Sequence, residues 1–292
     1  VNVNFVIGLA ISMGCMLGGY VAIGGHLHAL MQPYEFLILG GAALGIFVLQ
    51  NPMPVIKDSG SAIVEAIMGK GPKQKDFLDL LTLLHALMRE MRGKSRGEVE
   101  AHIDNPKESD IFANHPKVLA NKLLTNFICD YCRLIIIGTA RAFEIEALMD
   151  EEIQTLTYDK LKPYNALNSV GDGLPALGIV ACVLGIVHAM GALDQGPEVL
   201  GGLIGSALVG TFTGIYASYG IVSPLASLVK STRTKSLRMF VIIKQTLLAY
   251  MNGAMPQIAV EFGRKTIPAK ERPTIDEVES ETTGGGADKQ AA

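Results

Sequence analysis

The chain has 292 residues, 49% of them hydrophobic, with 32 glycines, no tryptophan and a mean hydropathy of +0.33. That is more apolar than is usual for a soluble domain of this length. A net charge of only −3 gives no basis for nucleic-acid binding. All 25 basic residues fall within 57–162 and 230–292, so charge-depleted blocks alternate with charge-bearing ones. This alternation indicates membrane spans separated by water-exposed segments.

Taken in chain order, NFVIGLAISMGCMLGGYVAIGG (4–25) is long enough to cross a hydrocarbon core of about 30 Å. A short turn, HLHALMQPYE, leads to FLILGGAALGIFVLQ (36–50), a shorter second candidate. Residues 51–170 read as helical and water-exposed. Within them, apolar residues at 77, 80, 81, 84, 87, 88 and 91 mark one helix face. Residues 115–156 predict one or two more helices, with Gly138 as a break, and Asn105-Pro106 predicts a turn. The third span is LPALGIVACVLGIVHAMGA (174–192). The fourth is 200–229, about 45 Å if fully helical. The expected organisation is spans one and two in 1–50, a cytoplasmic helical region in 51–170, spans three and four in 171–229, a cytoplasmic extension of the last helix in 230–272, and a disordered tail in 273–292. The tail is polar, and too little of it is apolar to offset the entropy of ordering.

The first stretch has no basic n-region and is followed at once by a second span, so it does not read as a cleaved signal peptide. Four spans place both termini and 51–170 on one side, and the two short loops without Lys or Arg on the other. The positive-inside rule makes the charged side cytoplasmic. The expected fold class is an all-α integral membrane protein, with four transmembrane helices and a large helical cytoplasmic region. Cys129 and Cys132 form a lone CxxC, half a zinc site at best, and read as small helix-packing residues with no metal role. No nucleophile–base pair or metal motif suggests an enzyme.

Small residues recur every four positions at Gly201/Gly205, at Ser206/Gly210/Gly214 and at Gly14/Gly18. Each stripe fits close helix approach, within one bundle or between subunits. An ion-translocating protein needs a group that binds and releases the ion. The spans offer Asp172 and Glu35 at their boundaries, read as interfacial acids, and His188 near one end, read as a hydrogen-bonded interfacial histidine. None is mid-span, so the missing carboxylate is expected from a partner. Thr211 and Thr213 supply hydroxyls that in membrane helices bond back to backbone carbonyls. Pro175 reads either as a first-turn proline or, with Pro224, as half of a hinge.

Several long motifs then carry a resemblance over nearly the whole chain. They are GGYVAIGGHLHALMQPYE, HIDNPKESDIF, AFEIEALMDEEI, VGDGLPALGIVACVLGIVHAMG, VGTFTGIYASYGIVSPLA and IAVEFGRKTI, with ERP shortly after. In order and spacing they resemble the MotA family of flagellar motor stator proteins, within the MotA/TolQ/ExbB superfamily. The resemblance implies a multi-pass subunit of the bacterial inner membrane, both termini cytoplasmic, with five copies surrounding two copies of MotB. MotB would supply the channel aspartate. It also implies no cofactor, drive by proton motive force, and torque on the rotor protein FliG. By position, Pro175 in GDGLPALG and Pro224 in IVSPLA match the family's functional prolines. Thr211 in VGTFTG matches a threonine facing the ion path. Arg92 and Glu100 match the charged pair that contacts FliG, although AHIDNP after Glu100 lacks the basic neighbour more common in the family. The rival readings are an energy-coupling protein of the ExbB or TolQ kind and a non-conducting membrane scaffold.

Overall fold

A computed structural model describes residues 2–284. Its regular elements are helical: α1 (Val3–Ala22), a 3-10 turn (Leu27–Leu30), α2 (Pro33–Gln50), α3 (Met53–Met68), α4 (Gln74–Gly93), α5 (Arg96–Asp104), α6 (Asp110–Ala113), α7 (Pro116–Ala120), α8 (Lys122–Ile137), α9 (Ala142–Met190), α10 (Pro197–Tyr216), a π turn (Ala217–Val222), α11 (Ser223–Met251), α12 (Pro256–Lys265) and α13 (Ile275–Gly284). Among the described residues, four helical stretches are long and apolar enough to cross a membrane: Val3–Ala22, Leu27–Gln50, Ala142–Met190 and Pro197–Met251. The chain is thus an all-α membrane protein of the expected class.

It divides into two compact units, residues 1–70 with 160–233, and 71–159 with 234–292. In the first, Leu39 and Ala43 of α2 pack on Leu174 of α9. Ala62 and Ala66 of α3 pack on Leu167, Ala226 and Val229. Arg233, 6% exposed, is held by α3: its guanidinium lies 2.8 Å from Asp58 and 3.3 Å from Glu65. Two carboxylates on one buried guanidinium supply the partners that such a charge requires. Gly69, at φ +66°, ends α3 in the left-handed conformation that glycine adopts without steric cost.

The second unit is built on α4. The expected stripe Phe77, Leu80, Leu81, Leu84, Leu87 and Met88 is buried, with Met91 partly so. Against it pack Phe127 and Tyr131 of α8 and Phe240 of α11; the Phe127 and Phe240 rings meet edge to face at 5.1 Å. Gly138, φ +74°, ends α8 as its sequence position suggests. Lys244 of α11 places its ammonium 2.6 Å from Asp150 of α9. Cys129 and Cys132 belong to this core. Burial pushes the Cys129 thiol up to about 11 and raises that of Cys132 further, so both stay protonated and unreactive.

Two features differ from expectation. The boundary placed at 170/171 falls inside a single long helix, α9, so the expected third span continues the helix that precedes it. Part of the segment expected to be disordered is ordered: Ile275–Gly284 forms α13. The Thr274 hydroxyl accepts from the Glu277 N–H at 3.1 Å, and the Glu277 carboxylate accepts from the Thr274 N–H at 2.7 Å. This reciprocal cap, with Val278 buried in the core, offsets the low apolar content on which the disorder expectation rested. Residues 285–292 of that expected tail lie outside the described residues.

Leu84 is fully buried, so Leu84→Ala should cost about 2–5 kcal/mol. The expected readout is alkylation of Cys132 at a lower denaturant concentration than in the unsubstituted chain. An unchanged midpoint would remove Leu84 from the core.

Candidate functional site

The first unit contains a close crossing of α9 and α10. A Cβ on Gly178 would lie 2.9 Å from the Gly210 carbonyl oxygen and 3.1 Å from the Gly214 Cα. One on Gly214 would lie 2.7 Å from the Leu174 carbonyl oxygen. Only glycine permits backbones this close. The Gly210/Gly214 stripe is therefore packing within the chain. Gly201 and Gly205, and Gly14 and Gly18, have nothing within 4 Å of the corresponding positions.

Pro175 lies in the interior of α9, not in a first turn, because the helix begins at Ala142. Having no N–H, it leaves the carbonyl of Gly171, four residues back, without its helical donor. The hydroxyl of Ser218 fills that vacancy, donating to the Gly171 carbonyl at 2.6 Å. Ser218 is 1% exposed and sits in the π turn. There the Ser223 N–H reaches back five residues to the Ser218 carbonyl, and Pro224 follows immediately. The widened turn and the proline together loosen the helical ladder at this point. The two prolines are thus linked through one side chain: Ser218 bonds the carbonyl freed by Pro175 and lies in the turn preceding Pro224. Pro175 is half-buried and Pro224 exposed.

Thr211, half-buried on α10, directs its hydroxyl to the carbonyl of Gly178 on α9 at 3.4 Å. It bonds across the crossing and not to its own helix as expected. Asp172 remains an exposed acid, accepting from Asn168 at 2.9 Å. Glu35 lies in the first turn of α2, at the end of the span as expected, but its side chain is buried. It is 9% exposed, and its Oε2 is buried with no hydrogen-bond partner.

Arg92 and Glu100 belong to the second unit and are not brought together as an ion pair. Arg92 is exposed in the last turn of α4. Glu100, on α5, pairs instead with Arg96 at 2.7 Å. Arg92, Lys94 and Arg96 line a groove of roughly 530 Å³ floored by Val99, Tyr250 and Met251. Lys94 is engaged by Glu90 at 2.9 Å.

The sequence reading missed Ser218 and the role of Gly171, Gly178 and Gly185. Those three glycines recur every seven residues on α9, a spacing that puts them on one face. Opposite them stand Ser218, Thr211 and Glu35, in that order. The heptad was the available signal.

This arrangement defines a multi-pass membrane protein in which polar groups are set into a close, proline-interrupted helix crossing. Residues 6–95 match the family described as motility protein A N-terminal, and residues 119–240 match the MotA/TolQ/ExbB proton channel family. Motility protein A of Salmonella typhimurium is 46% identical over 94% of this chain and 93% of its own length. That of Escherichia coli is 44% identical over the same shares. A chain in the solved structure of C. jejuni MotAB shares the fold, with TM-score 0.74 at 16% identity, covering 94% of this chain and 99% of that one. One in the flagellar MotAB stator complex from Bacillus subtilis gives 0.69 at 22% identity, covering 91% and 96%. The chain belongs to the motility protein A family.

The Ser218 bond has a testable cost. Ser218→Ala leaves the Gly171 carbonyl buried without a donor and should destabilise the chain by about 1–3 kcal/mol. In a Pro175→Ala background the new N–H can supply that donor, so the same Ser218→Ala change should cost much less. Thermal unfolding of the four chains of this cycle in detergent measures the difference. Equal costs in both backgrounds would break the link between the two residues.

Proposed function

We propose that the chain is the stator subunit of a flagellar motor which, with MotB, conducts protons across the bacterial inner membrane and turns that flow into torque on FliG. The observation that carries this reading is the Ser218 bridge between the carbonyl freed by Pro175 and the π turn before Pro224. Membership of the motility protein A family supports it. So does the MotAB composition of the two structural neighbours.

In this reading, five copies surround two copies of MotB, and a MotB aspartate takes a proton near Thr211. The proton leaves on the cytoplasmic side near Pro175. Loading and unloading the aspartate changes the bend of α9 and α11 at Pro175 and Pro224. One charge crossing 100 mV supplies about 2.3 kcal/mol. That biases two packed arrangements by roughly 50-fold. The chain performs no covalent chemistry and requires no cofactor; the proton motive force is the source of free energy. Arg92 and Glu100 act on complementary charges of FliG. Such exposed contacts contribute about 0–1 kcal/mol each, which suits repeated engagement and release.

The test is motility in a strain lacking this gene, with filaments counted by microscopy. Normal filaments on cells that do not swim, and swimming restored by the returned gene, are the expected result. Swimming cells that fail in iron uptake or envelope integrity would move the chain to the ExbB or TolQ kind. At the rotor face, Arg92→Ala should slow swimming only slightly, whereas Arg92→Glu should slow it severely. Recovery is expected when a FliG acid facing it is reversed to lysine. Equal speeds for the two substitutions would argue against an electrostatic role for Arg92.

A further inference from the structure

We infer that Glu35 is a proton-carrying group of the ion path, so that this chain supplies one of the path's carboxyls itself. The inference rests on the channel reading above and adds to it a residue that the reading does not use.

Glu35 is nine-tenths buried within a membrane-spanning segment, Leu27–Gln50. Its two oxygens sit in slots cut by glycines of two other helices. A Cβ at Gly185 of α9 would come within 3.1 Å of Oε1, and one at Gly210 of α10 within 2.9 Å of Oε2. Oε2 has no hydrogen-bond partner, although an ionised carboxylate in such a place needs several. Among the described residues, the buried Lys and Arg side chains, Arg233, Lys244 and Arg264, each have a carboxylate within 3 Å. Glu35 has no such counterion among the described residues. The titratable side chains on the neighbouring elements include buried Cys182 on α9, whose backbone nitrogen also borders the Gly210 slot, and His188 on α9, Glu198 on α10, His28 on the 3-10 turn and Tyr34 on α2, these last four exposed. A structural role would be met by a leucine or a glutamine. What distinguishes the carboxyl is that it binds and releases a proton.

Its position gives that property a use. Gly210, which forms one slot, precedes Thr211, whose hydroxyl spans the crossing to Gly178. Further along, Ser218 bonds Gly171. Glu35, Thr211 and Ser218 therefore stand opposite Gly185, Gly178 and Gly171 in succession. From Gly185 to Gly171 the helix rises about 21 Å. Polar groups line this crossing at intervals of two turns, with Glu35 at the end where the short α1–α2 and α9–α10 connections lie. In the step proposed, the Glu35 carboxylate takes a proton from hydronium, leaving water. The new O–H bond then breaks as the proton passes to the next acceptor, restoring the carboxylate.

The experiment uses the full chain assembled with MotB in vesicles that enclose a pH-sensitive dye, with proton entry driven by an imposed potential. Glu35→Gln keeps the size and hydrogen-bonding capacity of the side chain but carries no proton. Glu35→Asp keeps the acid. Assembly of each is checked by the size of the purified complex. The expected result is that Gln lowers proton entry at least about tenfold while Asp retains most of it. Infrared difference spectra of the complex between acid and alkaline buffer should also lose a carboxyl band in the Gln variant. Entry at the full rate in assembled Glu35→Gln, with the band unchanged, would overturn the inference and leave the channel reading intact. No proton entry through the unsubstituted complex would overturn the channel reading, and the inference with it.

Discussion

The Gly171 carbonyl is the point on which the first unit depends. Pro175 strips it of its helical donor, and a buried backbone carbonyl without a donor costs about as much as a lost hydrogen bond. Ser218 removes that cost. It can do so only because α9 and α10 approach at glycine distance two turns away, where Gly178 meets Gly210 and Gly214. The proline, the glycine crossing, the serine and the π turn are therefore one construction. A change at any of them alters the others.

Such a construction is suited to movement. A helix closed by its own ladder resists bending along its length. α9, its ladder broken at Pro175, and the α10–α11 helix, its ladder widened before Pro224, each have a preferred place to bend. The repair comes from a side chain and not from the backbone, so the bond can lengthen or rotate without unfolding a turn. The rest of the chain is ordinary by comparison. The α4 core of the second unit is a conventional packed interior, and Arg233 clamps α3 with two carboxylates. α9 carries another interior proline, Pro163, so its ladder also loses a donor away from the level at which Pro175 and the π turn meet.

Much of this was legible in the sequence, for identifiable reasons. The α4 stripe follows from 3.6-residue periodicity, and the charge-depleted blocks located the spans. Gly138 ended α8 because the chain needs a positive φ there. What was not legible depended on partners distant in sequence. Ser218 meets Gly171 across 47 positions, and no local pattern announces such a bond. Glu35 stood at a span boundary in one dimension and is buried in three, because glycines of α9 and α10 make room for it. The α13 cap was written locally as Thr274 and Glu277, but composition was given more weight than capping. Of the residues assigned by resemblance, Pro175, Thr211 and Pro224 fall in one unit around the crossing. Arg92 and Glu100 occupy the second unit on adjoining helices, each with different neighbours.

The central claim is that ion movement past this crossing is converted into rotation. The most direct measurement tethers cells by a single filament, with this chain re-expressed in a strain that lacks it. Rotation is recorded while the membrane potential is stepped by external potassium in the presence of an ionophore. The account predicts that speed falls toward zero as the proton motive force is removed and returns when it is restored, and that Pro175→Ala flattens this dependence although the protein remains in the membrane. Rotation that persists at full speed without a driving force, or that is indifferent to Pro175, would contradict it.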